Sequence, residues 1–379
     1  MTIALLTDGI WPYVIGGMQK HSYFLCKYLV KNQINVLLVH TAADITEEVK
    51  NITCFTGEEK KYITSLVVEK PHVKSFPGHY IYQSWLYSKK IYETLDGFPN
   101  VDFIIAKGMT GWHFLHKKNA ETPPVAINIH GYEFMQKKAD FNMQLQALLL
   151  RYPLIWINRR ANYVFSYGGK ITGYIQKLGI PAGKIIEIPA AIESEWMNAD
   201  NVEVKAERRF LFIGRYERRK GIEEINATIK KLAGKYPFSF AFVGPIPEDK
   251  RLSLPGVVYH GTIRNREDLQ SVLAQSDVLV CPSYSEGMPN VILEGMANGC
   301  AVIATDVGAV SLLVNKDTGW LIPAADDKAL EEAITGAINC SDEALIQKKR
   351  SAYQWIAGKF LWPDVSQKLI GAIENKLSL

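Results

Sequence analysis

The chain has 379 residues, 47% hydrophobic, 22% charged and 11% aromatic, a length that predicts two or three domains at roughly 150 residues each. Its 43 Lys+Arg and 39 Asp+Glu leave a net charge of +4. These values exclude a disordered chain, a collagen-like fibre and a disulfide scaffold, and the charge is too small to indicate nucleic acid as a partner.

Thr2-Ile3-Ala4-Leu5-Leu6 carries no basic leader and reads as a first strand, not a signal peptide. Gly16-Gly17 follows, and Met18, Ser22, Leu25, Cys26, Leu29 and Val30 line one face of a helix. Apolar β-type runs continue at 36–39, 103–105, 125–129 and 163–166. In the second half they cover 210–213, 238–243, 257–260, 278–281 and 301–304, with Leu269, Val272 and Leu273 on a helix between the third and fourth. Pro189 closes a strand and 193–207 is polar, which predicts a linker near 190–206. Alternating strands and helices imply parallel sheets covered on both faces. The expected class is α/β: two Rossmann-like doubly wound domains facing across a cleft, with ligands beyond the carboxyl ends of the strands. No apolar stretch reaches ~18 residues, so no transmembrane helix is expected; the greasiest segment, 145–157, is broken by Arg151 and Pro153. Cys26, Cys54, Cys281, Cys300 and Cys340 form no C-x-x-C pair and read as reduced thiols.

Four motifs fall just after strands. Gly16-Gly17 precedes the first helix, where glycines let a backbone approach a ligand and the helix N-terminus offers free N–H groups to an anion. A plain tight turn is the other reading of a Gly pair, and no G-x-G-x-x-G fingerprint is present. His130, in His130-Gly131-Tyr132-Glu133, is placed to hydrogen-bond a substrate hydroxyl or move a proton, or to serve structurally. In Gly214-Arg215-Tyr216-Glu217-Arg218-Arg219-Lys220-Gly221, Arg215 and Lys220 can converge on a phosphate, against the reading of a solvated basic turn. The segment 283–299 is the most informative. Glu286 stands in the loop after 278–281, Pro289 is expected at the first position of a helix, and Glu294 lies in that helix's early turns. Two such carboxylates can accept hydrogen bonds from sugar and ribose hydroxyls, although for Glu294 taken by itself complementing the helix dipole is the stronger reading.

On these residues the chain resembles the retaining GT-B-fold glycosyltransferases of glycosyltransferase family four (glycosyl transferases group 1). The resemblance covers nearly the whole chain and is strongest over 210–334. Glu286 through Glu294 resembles the family's paired-glutamate motif, and Leu321-Ile322-Pro323 with 326–334 resembles the strand and helix that follow. The resemblance implies an acceptor-side Rossmann-like domain at 1–195, a C-terminal helix at about 358–379 packing back on it, and a nucleotide-sugar-binding domain at 205–357. It implies that Gly16 and Gly17 lie near donor phosphate and acceptor, and that His130 contacts the transferred sugar and supports catalysis. Arg215 and Lys220 would hold the diphosphate, Glu286 the donor sugar hydroxyls and Glu294 the ribose. The backbone of Gly287, Met288, Pro289 and Asn290 would lie against sugar and diphosphate. Three departures stand out. Ala190-Ala191-Ile192-Glu193 replaces the usual Asn-Gly-Val/Ile-Asp, Leu312 stands where an acidic residue is usual, and Gly16-Gly17-Met18-Gln19-Lys20-His21 lacks an acidic residue often found there.

The implied activity is transfer of a hexosyl-type sugar from a UDP- or GDP-sugar to an acceptor hydroxyl with retention, in surface polysaccharide, lipopolysaccharide or glycolipid synthesis. Catalysis would rest on His130, Arg215, Lys220 and Glu286. No D-x-D motif follows a strand, so no obligatory metal and no cofactor beyond the donor is expected. Residues 1–190 hold 21 Lys+Arg against 14 Asp+Glu, +7, while the remaining 22 against 25 leave −3 over 191–379. Basic and aromatic residues interleave at 112–118, 136–138 and 151–160; near an anionic leaflet each Lys or Arg adds roughly 1 kcal/mol. The expected partners are the nucleotide sugar, a glycan or lipid-linked acceptor and an anionic membrane surface, with a soluble basic face as the equal alternative. The expected location is cytoplasmic, on the inner face of the cytoplasmic membrane. Two other functions suit the fold, a nucleotide-sugar epimerase and a non-catalytic sugar-nucleotide-binding protein. The Arg-Lys and paired-Glu pattern fits transfer better than epimerisation, and the complete set of five residues argues against binding alone.

Overall fold

Strands that are apolar at nearly every position need cover on both faces, which parallel pairing between layers of helices supplies. In the computed structural model, which describes residues 1–95, 97–98, 100–198, 203–204 and 207–378, the first half forms strands β1 Thr2–Leu6, β2 Asn35–His40, β3 Ile63–Val67, β4 Phe103–Lys107, β5 Val125–Asn128, β6 Tyr163–Ser166 and β7 Ile185–Glu187. Helices α1 Gly17–Lys31, α2 Glu47–Lys50, α3 Gly57–Lys60, α4 His79–Leu95, α5 Trp112–His116, α6 Phe141–Arg160 and α7 Lys170–Lys177 lie between them. The sheet is parallel, in the order β3-β2-β1-β4-β5-β6-β7, with Ile3 opposite both Val36 and Phe103. Edge strand β3 escapes the sequence reading because Thr64 and Ser65 interrupt its apolar run and it is only half-buried.

The second half forms β8 Arg208–Ile213, α8 Ile222–Leu232, β9 Phe238–Val243, β10 Val257–Gly261, α9 Arg266–Ala274, β11 Val278–Cys281, α10 Asn290–Ala297, β12 Ala301–Thr305, β13 Gly319–Ile322, α11 Asp327–Ile338 and α12 Asp342–Lys359, before the last helix, α13 Trp362–Leu377. Its parallel sheet runs β10-β9-β8-β11-β12-β13. The two doubly wound sheets expected from the alternating pattern are thus both present. Each reverses its strand order beside its first strand, between β1 and β4 and between β8 and β11. Ligands bind outside the carboxyl ends of strands at such switch points.

Contacts divide the chain into two units. Unit 1 holds Met1–His130, Leu145–Ala190 and the chain from Trp362 onward; unit 2 holds Gly131–Gln144 and Ala191–Leu361. The last helix therefore belongs to unit 1, where Trp362 stacks on Tyr28 of α1 at 5.6 Å. The stretch just after His130 belongs to unit 2. Of the linker expected near 190–206, residues 199–202 and 205–206 lie outside the described residues, as does the expected domain start at 205.

The core of unit 2 is built on Phe210, Phe212, Phe240 and Phe242 from neighbouring strands, with Ile222, Ile225 and Ile229 of α8 packed over them. Beneath this core, at the amino end of β11, lies a buried ion cluster. Arg209 donates from its backbone N and Nε to Asp277 Oδ2, both at 3.0 Å, and from Nη2 to Oδ1 at 2.8 Å. Lys349 of α12 donates to the same Oδ1 at 3.1 Å, and both it and Asp277 are fully buried. Burial pushes the Asp277 carboxyl up, but the Arg209 hydrogen bonds and the Lys349 charge outweigh it and hold the group below the ordinary aspartate range.

Removing one partner strands the other charge in the interior, so Asp277→Ala should cost about 3–5 kcal/mol at neutral pH in denaturant unfolding. Because folding depresses this carboxyl's pKa, its contribution is complete above the unfolded value and is lost as pH falls through the folded one. The gap between variant and wild type should therefore narrow in acid.

Candidate functional site

In unit 2 the site is set by two loops, one after β8 and one after β11, at the switch point of the second sheet. Gly221 (φ 71°) closes the first loop; a Cβ there would stand 2.3 Å from the Pro282 carbonyl oxygen. Gly308 (φ 54°) presses from the β12 side, where a Cβ would meet the Glu286 and Gly287 carbonyl oxygens at 2.2 and 2.4 Å. Only glycine fits either position without moving the main chain. The segment 282–287 is further tied by hydrogen bonds from Tyr284 N to Arg219 O at 2.8 Å, from Arg219 Nη1 to Ser285 O at 2.9 Å and from Ala309 N to Gly287 O at 2.8 Å.

These ties bring two of the expected residues together. Lys220 Nζ lies 2.6 Å from Glu286 Oε1, and Arg219 Nη1 is 3.4 Å from the same oxygen. Burial pushes the Glu286 carboxyl up, but Lys220, Arg219 and a hydrogen bond from Ser283 hold it below the ordinary glutamate range. It is therefore an ionised acceptor in a nearly dry setting. Arg215 is not part of this cluster: its side chain is 71% exposed and pairs with Glu217 Oε1 at 2.8 Å. Pro289 stands at the N-cap of α10 with ψ 124°, so Asn290, not Pro289, opens the helix. The proline ring sets φ alone, which suits either place. Glu294 is buried in the second turn of α10, and Met288 is buried beside its start. The Ser285 hydroxyl is buried with no hydrogen-bond partner among the described residues.

Two supports were not expected. Gln136, in the stretch after His130, donates from Nε2 to the Glu286 carbonyl at 2.6 Å, while its Oε1 accepts from Glu286 N at 3.3 Å. One side-chain amide thus satisfies both polar groups of the Glu286 backbone, and Lys137 Nζ anchors the same stretch on Ala324 O at 2.7 Å. On the other side, Arg218 donates to Glu224 Oε2 at 2.8 Å and to the Tyr284 hydroxyl at 3.1 Å, and Tyr284 donates to Glu224 Oε1 at 2.6 Å. The run Arg218, Arg219 and Lys220 in one turn was the sequence signal for the second of these supports, and nothing local marks Gln136.

Unit 1 carries Gly16, Gly17 and His130. Gly16 caps α1 without a side-chain bond, and Gly17 is its first residue. His130, after β5, meets the Tyr167 hydroxyl through Nδ1 at 2.5 Å, and its ring lies 5.3 Å from that of His21 on α1. Its Nε2 is buried with no partner among the described residues. Burial keeps the Tyr167 phenol protonated; with its hydroxyl assigned as the donor to Nδ1, the imidazole proton falls on Nε2. Burial first, then the Lys107 charge, keep His130 neutral. Lys107 ends β4 at the switch point of the first sheet. Its Nζ reaches His21 Nδ1 at 2.9 Å and Asn128 Oδ1 at 3.2 Å, and burial lowers its amine from 10.5 to about 7 against the pull of Asp8. Lys107 was not among the expected residues; a lysine closing an otherwise apolar parallel strand is the signal that could have found it. Among the described residues, no group of three or more His, Cys, Asp or Glu is placed to hold a metal ion.

Two families match the chain: the one described as Glycosyltransferase Family 4 over residues 15–196, and Glycosyl transferases group 1 over 207–339. Among curated proteins, a teichuronic acid biosynthesis glycosyltransferase, TuaC of Bacillus subtilis, is 39% identical over 34% of this chain and 32% of its own length. The capsular polysaccharide biosynthesis glycosyltransferase CapM of Staphylococcus aureus is 34% identical over 35% of this chain and 37% of its own. The matches thus span only about a third of either relative. An uncharacterized glycosyltransferase of Methanocaldococcus jannaschii, MJ1178, is 23% identical over 94% of both chains. Among solved structures, a sucrose-phosphate synthase of Thermosynechococcus elongatus superposes with TM-score 0.79 at 19% identity, covering 99% of this chain and 98% of its own. Anabaena HepE in complex with UDP and glucose gives 0.69 at 16% identity, covering 99% and 100%. These structures share the GT-B fold with this chain.

The Lys107 amine binds fewer protons folded than unfolded between about pH 7 and 10.5, so its contribution to stability rises with pH across that window. The stability of Lys107→Met relative to wild type should therefore fall as pH rises from 7 toward 10.5. A difference that stays flat in chemical denaturation would refute the buried amine.

Proposed function

Because the chain belongs to glycosyltransferase family four, the glycosyl transferases of group 1, we propose that it moves a hexosyl-type sugar from a nucleotide sugar to an acceptor hydroxyl with retention of anomeric configuration. The observation that carries this reading is the Lys220–Glu286 pair at the switch point of the second sheet. A cation and an ionised acceptor side by side suit the two halves of a sugar diphosphate: Lys220 faces phosphate while Glu286 accepts hydrogen bonds from sugar hydroxyls. Arg215, held by an exposed pair to Glu217, loses little by turning to the diphosphate. Glu294 takes the ribose hydroxyls, and the backbone of Gly287, Met288, Pro289 and Asn290 lines the donor. In unit 1, neutral His130 offers an Nε2–H donor to a sugar hydroxyl.

In the reaction the bond from the anomeric carbon to the diphosphate oxygen breaks as a bond to the acceptor oxygen forms on the same face. The acceptor's proton passes to the departing phosphate. Negative charge grows on the diphosphate in the transition state, where preorganised cations count most. No metal is required in this scheme. UDP is the favoured leaving nucleotide, since solved relatives of the fold carry UDP or UDP-glucose. A growing surface glycan or a lipid-linked carrier is the favoured acceptor, given the biosynthetic names of TuaC and CapM. We place the enzyme in the cytoplasm, in peripheral contact with the inner face of the membrane. No described helix is long and apolar enough to cross it.

Arg215→Ala should raise the barrier by about 2–4 kcal/mol, read as kcat/KM with the UDP-sugar that turns over. Product from that donor should keep the donor's anomeric configuration by proton NMR; an inverted product defeats the mechanism. Activity should survive excess chelator, and its abolition would show a metal requirement.

A further inference from the structure

Helix α6 turns an apolar face outward. Over its length within unit 1, Leu145, Leu148, Leu149, Tyr152 and Trp156 are exposed, Leu148 at 53% and Tyr152 at 74%. Their spacing of three and four puts them on one stripe of the helix. The opposite side, with Leu154, Ile157 and Asn158, is buried against the unit. Surface helices of soluble proteins have the reverse pattern, apolar inside and polar outside.

The charges around the stripe have one sign. The helix has no Asp or Glu, and Arg151, Arg159 and Arg160 are exposed on it. Arg160 lies 5.7 Å from the Trp156 ring, and Lys118 Nζ reaches the Arg160 carbonyl at 3.4 Å. Burial, and then the charges of Lys184 and Arg160, lower the Lys118 amine, which places these three cations close together. None of them is ion-paired with a carboxylate among the described residues.

We propose that α6 is a membrane-docking helix, lying in the plane of an anionic bilayer with its Leu, Tyr and Trp stripe at the headgroup boundary and its Arg and Lys residues on lipid phosphates. Exposed leucines favour the acyl side of that boundary, while Tyr and Trp suit its mixed polarity. Charge decides between lipid and a second copy of the chain. A two-fold contact through α6 would set its arginines against their own images with no acid to offset them. An anionic leaflet offers the opposite sign across the whole face. This inference rests on the peripheral location proposed above and names the element responsible.

The test uses the full chain and vesicles of phosphatidylcholine, with or without about one-third phosphatidylglycerol. Wild type should float with the anionic vesicles at low salt and largely detach at about 0.5 M salt. Lipids brominated on the upper acyl chain should quench its tryptophan fluorescence, and Trp156→Phe should remove part of that quenching. The double variant Leu148→Asp, Tyr152→Asp should bind at least ~10-fold more weakly while keeping its melting temperature and its UDP-induced thermal shift. Arg151→Glu with Arg160→Glu should do the same. If wild type binds anionic vesicles and both variants bind equally well, α6 is not the docking element and the peripheral location stands. If wild type ignores anionic vesicles at low salt, the peripheral location itself falls, and this inference with it. A lipid-free dimer in sedimentation that the Leu148/Tyr152 variant dissociates would assign the stripe to a second copy and overturn the proposal.

Discussion

The loop after β11 passes between two glycines that leave no room for a side chain. Gly221 presses on Pro282 and Gly308 on the carbonyls of Glu286 and Gly287, each at a separation that a Cβ would close to about 2 Å. Much of the unit 2 site depends on this double constraint. With the main chain of 282–287 held from both sides, Glu286 has little freedom, and Lys220 at the end of the neighbouring loop meets it directly. Gln136 then completes the hold by matching both backbone groups of Glu286. A carboxylate held in one place by its backbone can be buried and still ionised, because the cations facing it are equally fixed.

The same topology yields opposite electrostatics in the two units. Both sheets reverse order beside their first strand, and both gather polar residues at that point. In unit 2 the residues are charges in contact, Lys220 and Arg219 on Glu286. In unit 1 they are a lone amine and two imidazoles, Lys107, His21 and His130, with Asp8 as a weak counterweight. Burial without a close carboxylate keeps the imidazoles neutral, so they act as hydrogen-bonding groups and not as charges. The charge totals of the two halves gave no hint of this. The half with the +7 excess contains the neutral imidazoles, and the half at −3 contains the Lys220 and Arg219 cations.

Lys220, Glu286 and His130 could be found from residue type and position, since a polar residue just past a buried strand stands where ligands bind in these sheets. Glu294 could be placed on its helix for the same reason. Arg215 and Pro289 show the limit of that reasoning. A motif names a residue but not its rotamer or its cap position, and here Arg215 turns outward to Glu217 while Pro289 sits one place earlier than expected. Gln136, Tyr167 and His21 had no local mark at all. Each matters through a partner 20 or more residues away or on another element, and no periodicity encodes such a contact.

Local pattern was enough for the α/β class, the two sheets, the parallel strands and the family, because burial on both faces and turn chemistry act over a few residues at a time. Tertiary packing decided the rest. It chose Arg219 over Arg215 as the second cation on Glu286, made Gln136 the brace of that residue's backbone, and left the apolar face of α6 uncovered. These outcomes depend on which elements become neighbours, and that is fixed by the energy of the whole packed unit, not by any stretch of chain read alone.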